Sequence, residues 1–424
     1  MEYQEGLAFA RYADKNDPLV GFRDKFYLPV QKSGEPYIYM CGNSLGLQPK
    51  STKSYLEQEL IDWKNLGVEG HLHAKHPWMP YHEFLTEKMA RLVGALPKEV
   101  VVMNTLSVNL HLMMVSFYRP TEKRHKILIE SDAFPSDKYA VESQIKFHGF
   151  DPEKSLIELA PRDGEELLRA EDIQKVIEEE GDQIALIMIG NTNYYTGQFF
   201  DMKKIAEWGH AKGCVVGFDC AHGAGNCLLN LHDSGVDFAV WCTYKYINSG
   251  PGSLGGVFIH QRHLDDKELP RFSGWWGHDK ETRFKMRDDF NPIPTAEGWQ
   301  LSNPPILSMA AIMASLDIFD EAGIHNLRAK AIKLTGYMEY LLDQLDNEDI
   351  KIITPRDPVQ RGSQLSIQVK NADKRLFELI TEDGVIADWR EPDVIRVAPV
   401  ALYNSFEDVY NFVEILSKNL SKMN

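Results

Sequence analysis

From about residue 99 onward, short apolar runs alternate with stretches of helical periodicity, and this limits the fold more than any other feature of the chain. KILIE at 126–130 leads into the helix-like SDKYAVESQIKF. IALIMIGN at 184–191 leads into DMKKIAEWGHAKG, in which Ile205, Trp208 and Gly209 share a face. CVVGFDC at 214–220 and VDFAVWCTY at 236–244 continue the series. Runs that lack polar alternation need cover on both sides, so the pattern predicts an α/β fold: a mainly parallel, doubly wound sheet with helices on both faces. In such sheets ligands gather at the carboxyl ends of the strands, so the residues that follow each run are the ones to weigh for chemistry.

From about Pro305 the character changes. A long helical region to Leu345 precedes SQLSIQV at 363–369, which alternates as a strand; a helix, two strands around VIADWR and VIRVAPV, and a last helix follow. This reads as a smaller α+β domain. The expected division is an N-terminal segment, 1–40, packing near the small domain, then a large cofactor domain, 41–304, and a small C-terminal domain, 305–424. A chain of 424 residues with 43% hydrophobic content has the apolar surface for cores of this size.

Charge narrows the partners. With 62 acidic against 46 basic residues the net charge is −16, which repels nucleic acid and anionic membrane surfaces and leaves a small molecule as the expected ligand. The beginning, MEYQEGLAFARYADKND, has no apolar leader core, and runs such as IALIMI are too short to cross a bilayer. Cys41, Cys214, Cys220, Cys227 and Cys242 are odd in number and lack CxxC spacing, which fits reduced thiols in a cytoplasm.

The strand ends give a coherent set. In WCTYKYINSGPGS at 241–253, strand formers from Val240 to Ile247 meet a turn cluster at Asn248–Gly252, which places Lys245 near a strand end. Alone, such a lysine reads as an edge residue with its head in water. It is not alone. Phe218 is followed by Asp219, KILIE by SDAFPSD, and VVMN by TLSVNLHLMM at a helix start. A lysine, an acid, an aromatic and a helix N-terminus then converge at one sheet edge. That combination suits pyridoxal 5′-phosphate, which needs an amine for its aldehyde, a carboxylate for its ring nitrogen, a flat side chain against the ring and donors for its phosphate.

GNSLGLQP (42–49), MNTLSVNLHLM (103–113), AFPSD (133–137), FDCAHGAGN (218–226), WCTYKYINSGPG (241–252), RFSGWWGH (271–278), RFKM (283–286), SNPPI (302–306) and RVAPVALYNSF (396–406) together resemble the kynureninases. The short aspartate-to-lysine spacing marks the wider class V aminotransferase group, whereas GNSLG, FPSD, SNPPI and RVAPV in one chain are specific to this family. The resemblance implies a fold type I enzyme, a homodimer whose active sites are built across the subunit interface, and hydrolysis of L-kynurenine or its 3-hydroxy derivative. Lys245 matches the lysine that binds the cofactor aldehyde and shuttles protons, and Asp219 the carboxylate on the ring nitrogen. Phe134 matches the stacking aromatic, and Leu106 and Ser107 the phosphate turn; Asp137, His222 and Tyr244 match further cofactor contacts, with Tyr244 set for phosphate binding and proton transfer. Trp275 and Asn303 match residues that reach cofactor and substrate from the neighbouring subunit. Ser44, His71, Asn303 and Arg396 match the substrate site, with Arg396 gripping the α-carboxylate as a bidentate pair. Gly190 departs from relatives that carry serine or threonine there.

Each residue also has an ordinary reading: Asp219 as a helix cap, Ser107 as an N-cap, Phe134 as core. GPGSLG at 250–255 satisfies a dinucleotide fingerprint but precedes the strand-like GVFIH, and Pro251 lacks an N–H, so a nucleotide site is not expected. HLHAKH at 71–76 has no carboxylate or thiol to complete a tetrahedral set, so no metal is expected. A cysteine desulfurase or selenocysteine lyase would share the fold, yet no cysteine follows Cys242 to act as its nucleophile. A non-catalytic cofactor-binding relative would be expected to lose Lys245 or Asp219.

Overall fold

The computed structural model describes residues 2–370 and 372–423. A short strand, β1 (Ile38–Tyr39), precedes a central sheet of seven: β2 (Val100–Met103), β3 (Lys126–Glu130), β4 (Leu156–Leu159), β5 (Ile184–Gly190), β6 (Val215–Asp219), β7 (Phe238–Cys242) and β8 (Gly255–Ile259). Their order is β2-β8-β7-β6-β5-β3-β4. Neighbours from β7 to β4 pair in parallel, while β8 runs antiparallel to both β2 and β7.

The pleat deals successive side chains to two cores, which is why these runs carry no polar alternation. Val100 and Val102 of β2 face one core, Val101 and Met103 the other; Ala239 and Trp241 of β7 face the first, Phe238 and Val240 the second. Helix Met202–Ala211 covers one face with Met202, Ile205 and Ala206, and helix Leu106–Phe117 covers the other with Leu110, Met113, Met114 and Phe117. Each fully buried aliphatic or phenylalanine side chain contributes about 1.5–3 kcal/mol.

The strand that leads to Lys245 is shorter than its residue types predict. It stops at Cys242 instead of Ile247, because the following residues are held by tertiary bonds: Gly46 N–H donates to the Tyr244 carbonyl at 2.8 Å, and the Thr243 hydroxyl donates to the Leu254 carbonyl at 2.5 Å. Gly250 and Gly252, at φ 97° and 68°, then turn the chain back into β8. The GPGSLG stretch is therefore a reversal between antiparallel neighbours.

The C-terminal strands are β9 (Ile350–Ile352), β10 (Leu365–Val369), β11 (Val385–Ile386), β12 (Asp388–Arg390) and β13 (Val394–Val397). Four of them form an antiparallel sheet of order β12-β13-β10-β9, and β11 pairs in parallel with β1. Ala10 and Ala13 of helix Leu7–Lys15 share a third core with Ile367, Val409 and Phe412, and buried Lys330 pairs with Asp17 at 2.7 Å. The long helical region is two helices broken at Gly323, one for each part. Ile306–Ala322 packs on Thr52–Leu66 and Glu83–Val93 and buries Met309, Ile312 and Phe319 in a core of the large sheet, whereas Ile324–Gln344 gives Leu334, Tyr337 and Met338 to the third core. Among the described residues no helix is long and apolar enough to cross a membrane.

Candidate active site

The sheet's strand order reverses at β3, which has β4 on one side and β5 on the other. A crevice forms at such a point, beyond the carboxyl ends of the strands. Here the pocket is lined by Glu130 from β3, Gly190 from β5, Asp219 and His222 after β6, and Tyr244 and Lys245 after β7. Leu106 and Ser107, and Phe134 and Asp137, close it from two helix starts.

Those helices, Leu106–Phe117 and Pro135–Phe147, begin without a side-chain cap, and Ser107 and Ser136 near their first turns share a hydroxyl–hydroxyl bond of 2.9 Å. Uncapped N–H groups, two positive helix ends and two hydroxyls suit a dianion. Pro135, at the first position of its helix, fixes the turn that leaves Phe134 just outside it, 45% exposed, with the Tyr194 ring edge-on at 5.4 Å. Lys245 Nζ lies over the Phe134 ring, 5.7 Å from its centroid.

On the floor, buried Asp219 accepts from the Ala221 N–H at 2.6 Å, which caps a turn and not the helix of its ordinary reading, and its carboxyl lies against that of buried Asp137. Burial pushes the Asp137 carboxyl well above the usual range, and the Asp219 charge adds to it. Asp219 is raised by burial as well, with Lys245 and the Ala221 N–H opposing. Burial, then Lys245, keeps His222 well below its usual value and uncharged. Among the described residues Asp137 Oδ1 and His222 Nδ1 are buried without partners. Two adjacent carboxyls, one acceptor unfilled, ask for a cationic N–H, and the neutral imidazole beside them adds no competing charge. The donor set fits pyridoxal phosphate: amine, acid pair, aromatic face and paired helix ends.

Arg396 is 1% exposed and stands opposite Asp388 in the β12–β13 ladder; it pairs with that carboxylate and donates to the Tyr194 carbonyl. Asp388 also accepts from Arg390 at 3.1 Å. Two guanidiniums thus share one carboxylate, which leaves a surplus positive charge, and Arg396 Nε is buried with no acceptor among the described residues. Neither Arg396 nor Arg390 is among the residues that line the pocket around Lys245.

A model of the kynureninase C-terminal domain matches residues 327–416. The chain is similar to the kynureninase of Koribacter versatilis, with 60% identity over 97% of this chain and 97% of that one, and to the kynureninase of Myxococcus xanthus, with 59% identity over 98% and 97%. The chain belongs to the kynureninase family. Its architecture is the fold type I arrangement: it matches an apo cysteine desulfurase from Thermococcus onnurineus NA1 with a TM-score of 0.75 over 100% of both chains, at an identity of 17% that speaks for the fold alone.

Not every residue expected of a kynureninase lies in the pocket of this single chain. Ser44 is exposed on the loop after β1, where Cys41 bridges Ala398 and Gly46 packs so closely on Lys245 that a Cβ there would meet its carbonyl at 2.3 Å. His71, on the four-residue helix Gly70–His73, meets Trp78 edge-on at 5.5 Å. Asn303 is exposed, and Trp275, 42% exposed, donates to the Arg283 carbonyl at 3.1 Å and packs on Phe284. Sequence reasoning passed over Glu130, Ser136, Thr192 and Tyr194, which also line the pocket. Ser136 sits inside the AFPSD stretch and Glu130 closes KILIE, so both were within reach of the strand-end rule; Tyr194 carries no local signal. Gly190 has a steric reason: a Cβ there would lie 2.8 Å from Glu130 Oε1.

Proposed function

We propose that these residues carry out the family's reaction, the pyridoxal 5′-phosphate-dependent hydrolysis of the Cβ–Cγ bond of L-kynurenine or L-3-hydroxykynurenine. The products are anthranilate or 3-hydroxyanthranilate, and L-alanine. The observation that carries this reading is the placement of the Lys245 amine and the buried Asp137–Asp219 pair in one pocket beside the Phe134 ring. When bound, the cofactor supplies an aldehyde that captures amines and a ring that stores the electron pair of a broken bond. Lys245 would hold that aldehyde through its Nζ, and the same amine, when free, would take the substrate α-proton. Asp219 holds a proton on the ring nitrogen, with Asp137 and His222 supporting it. The first turns at Leu106, Ser107 and Ser136 would bind the phosphate, Tyr244 would bond it and pass protons, and Phe134 would offer its face to the ring. The family resemblance gives Arg396 the α-carboxylate, which it would grip as a bidentate pair once its bonds to Asp388 and the Tyr194 carbonyl give way, and that would set the direction in which the β-carbon points.

A second copy completes the site in this reading. Phe272, Trp275, Phe284 and Met286 are 57%, 42%, 55% and 72% exposed, an apolar patch that calls for cover, and in a homodimer Trp275 and Asn303 reach the neighbouring pocket. Ser44, His71 and Asn303 then surround the substrate, with His71 and Asn303 bonding a ring hydroxyl and favouring 3-hydroxykynurenine. The division at residue 40 follows the same reading, whereas the packing of Ile306–Ala322 in the large-sheet core favours Gly323 over residue 304 for the second division, and five free cysteines support a cytoplasmic setting. The test is an absorbance spectrum of the purified protein with product analysis after adding each kynurenine. A visible band and formation of alanine with the aminobenzoate are expected; no band, or release of sulfur from cysteine instead, refutes the assignment.

A further inference from the structure

Glu130, the last residue of β3, is 4% exposed, and its oxygens accept from the Gly190 N–H at 3.1 and 3.2 Å. Among the described residues no lysine, arginine or histidine pairs with it; Asp219 at the end of β6, Asp132 on its own loop and Asp137 on helix Pro135–Phe147 act against its charge, while Lys245 and His222 line the cofactor pocket and Arg162 the second cavity without bonding it. Its place depends on the glycine at 190, whose Cβ would otherwise crowd Oε1 at 2.8 Å. It is also the one residue that lines both the cofactor pocket and a second cavity, walled by Asp132, Asp163, Glu166, Asn193 and Tyr195. That cavity reaches solvent at exposed Asp163 and Gly164.

The reaction proposed above has a proton to dispose of. Kynurenine enters as an amino-acid zwitterion with an uncharged ring amine. Water gives its hydroxyl to the acyl carbon and a hydrogen to the β-carbon, alanine leaves as a zwitterion, and the new aromatic acid ionises because its pKa lies far below neutrality. One proton is therefore released per turnover, into a pocket whose floor is buried and whose mouth holds the substrate. On the strength of that reading, we propose that Glu130 is the proton exit of the active site, joining the cofactor pocket to solvent in the second cavity. A proton taken on one carboxyl oxygen from the pocket side is matched by one given up from the other to water, so the residue ends each turnover as it began. Burial, with Asp219 and Asp132 adding to it, raises this carboxyl to about 7, where it gives and takes protons with equal ease.

Glu130→Gln keeps the size and the acceptor for the Gly190 N–H but carries no exchangeable acid. The holoenzyme is mixed with kynurenine in weak buffer containing a pH-indicator dye, and proton appearance is followed beside cofactor affinity and the pH titration of the cofactor's visible band. Expected in E130Q are unchanged cofactor affinity, loss of a step near neutral pH from the band's titration, and proton appearance slowed by about 100-fold, with recovery in added imidazole. Glu130→Asp keeps the acid and is expected to stay close to wild type. Proton appearance in E130Q at the wild-type rate overturns the proposal. So does slowing that tracks lost cofactor and resists imidazole, or an E130D as slow as E130Q. Wild-type protein that releases no proton because it cleaves no kynurenine fails at the earlier reading instead, which separates the two.

Discussion

Replacing Glu130 by glutamine in the cofactor-free protein tests the electrostatics of the pocket without any chemistry. The carboxyl titrates at about 7 in the folded chain, against 4.5 for an unstrained glutamate. Because the folded value is the higher, the folded state is favoured while the group is protonated, and that advantage is lost as pH rises from 4.5 through 7. At about 1.36 kcal/mol per unit, the wild type gives up ~3 kcal/mol by about pH 8 but only ~1 kcal/mol at about pH 5. Glutamine does not titrate. Whatever its amide costs among the neighbouring acids is nearly the same at both pH values, so the difference between them isolates the proton. Urea denaturation of both proteins at equal concentration should show E130Q gaining ~2 kcal/mol relative to wild type between about pH 5 and about pH 8. A relative stability that stays flat across that range, or falls, would falsify the assignment of a buried, protonated carboxyl.

Lys245→Ala should abolish turnover yet retain part of the cofactor, since the helix ends, Phe134 and the acid pair remain; borohydride should fix cofactor to wild-type Lys245, and labelling elsewhere removes the residue from its role. In the His71 and Asn303 double mutant, a wild-type preference for 3-hydroxykynurenine of about 10-fold in kcat/KM should vanish, because each neutral bond contributes about 0.5–1.5 kcal/mol; a preference for plain kynurenine in wild type refutes the idea. Asp237→Asn at the far end of the sheet should cost about 3 kcal/mol in urea melts at neutral pH. Burial works against the Asp237 charge, but His210 and His263, each at 2.8 Å, and the Val216 N–H hold its carboxyl far below the usual range. A depressed carboxylate stabilises above its unfolded value and loses that benefit as pH falls, so the penalty should shrink below about pH 4, and a penalty unchanged by acid would count against it.

Asp219 and Lys245 were legible because a parallel sheet concentrates function just past its strands, and both follow apolar runs within three residues. Glu130 was within reach of the same rule, but an acid that closes a strand reads as a solvent-facing end, and nothing local tells that the Gly190 N–H of β5 will hold it in the interior. The end of β7 was misjudged for a related reason. Tyr244, Tyr246 and Ile247 are strand formers by type, but Tyr246 and Ile247 are spent on the core and the Tyr244 carbonyl on Gly46. The reversed direction of β8 is also invisible in composition, because an apolar run covered on both faces looks the same whichever way it runs. The Asp388–Arg396 pair lies eight residues apart in a stretch read only as strands, and its meaning depends on a cross-strand register that the local sequence does not state.

The pairing of β1 with β11, and of Cys41 with Ala398 beside it, orders events during synthesis. A ribosome releases the β1 strand long before its partner, so the first segment must wait, its apolar residues uncovered, while the central sheet closes behind it. The floor of the pocket, from Glu130 to Lys245, is complete when β8 docks. The guanidinium of Arg396 arrives only with the last strand, and the same strand gives β1 its final anchor. A nascent chain halted before residue 385 therefore has the pocket floor but neither the strand that pairs with β1 nor the guanidinium of Arg396.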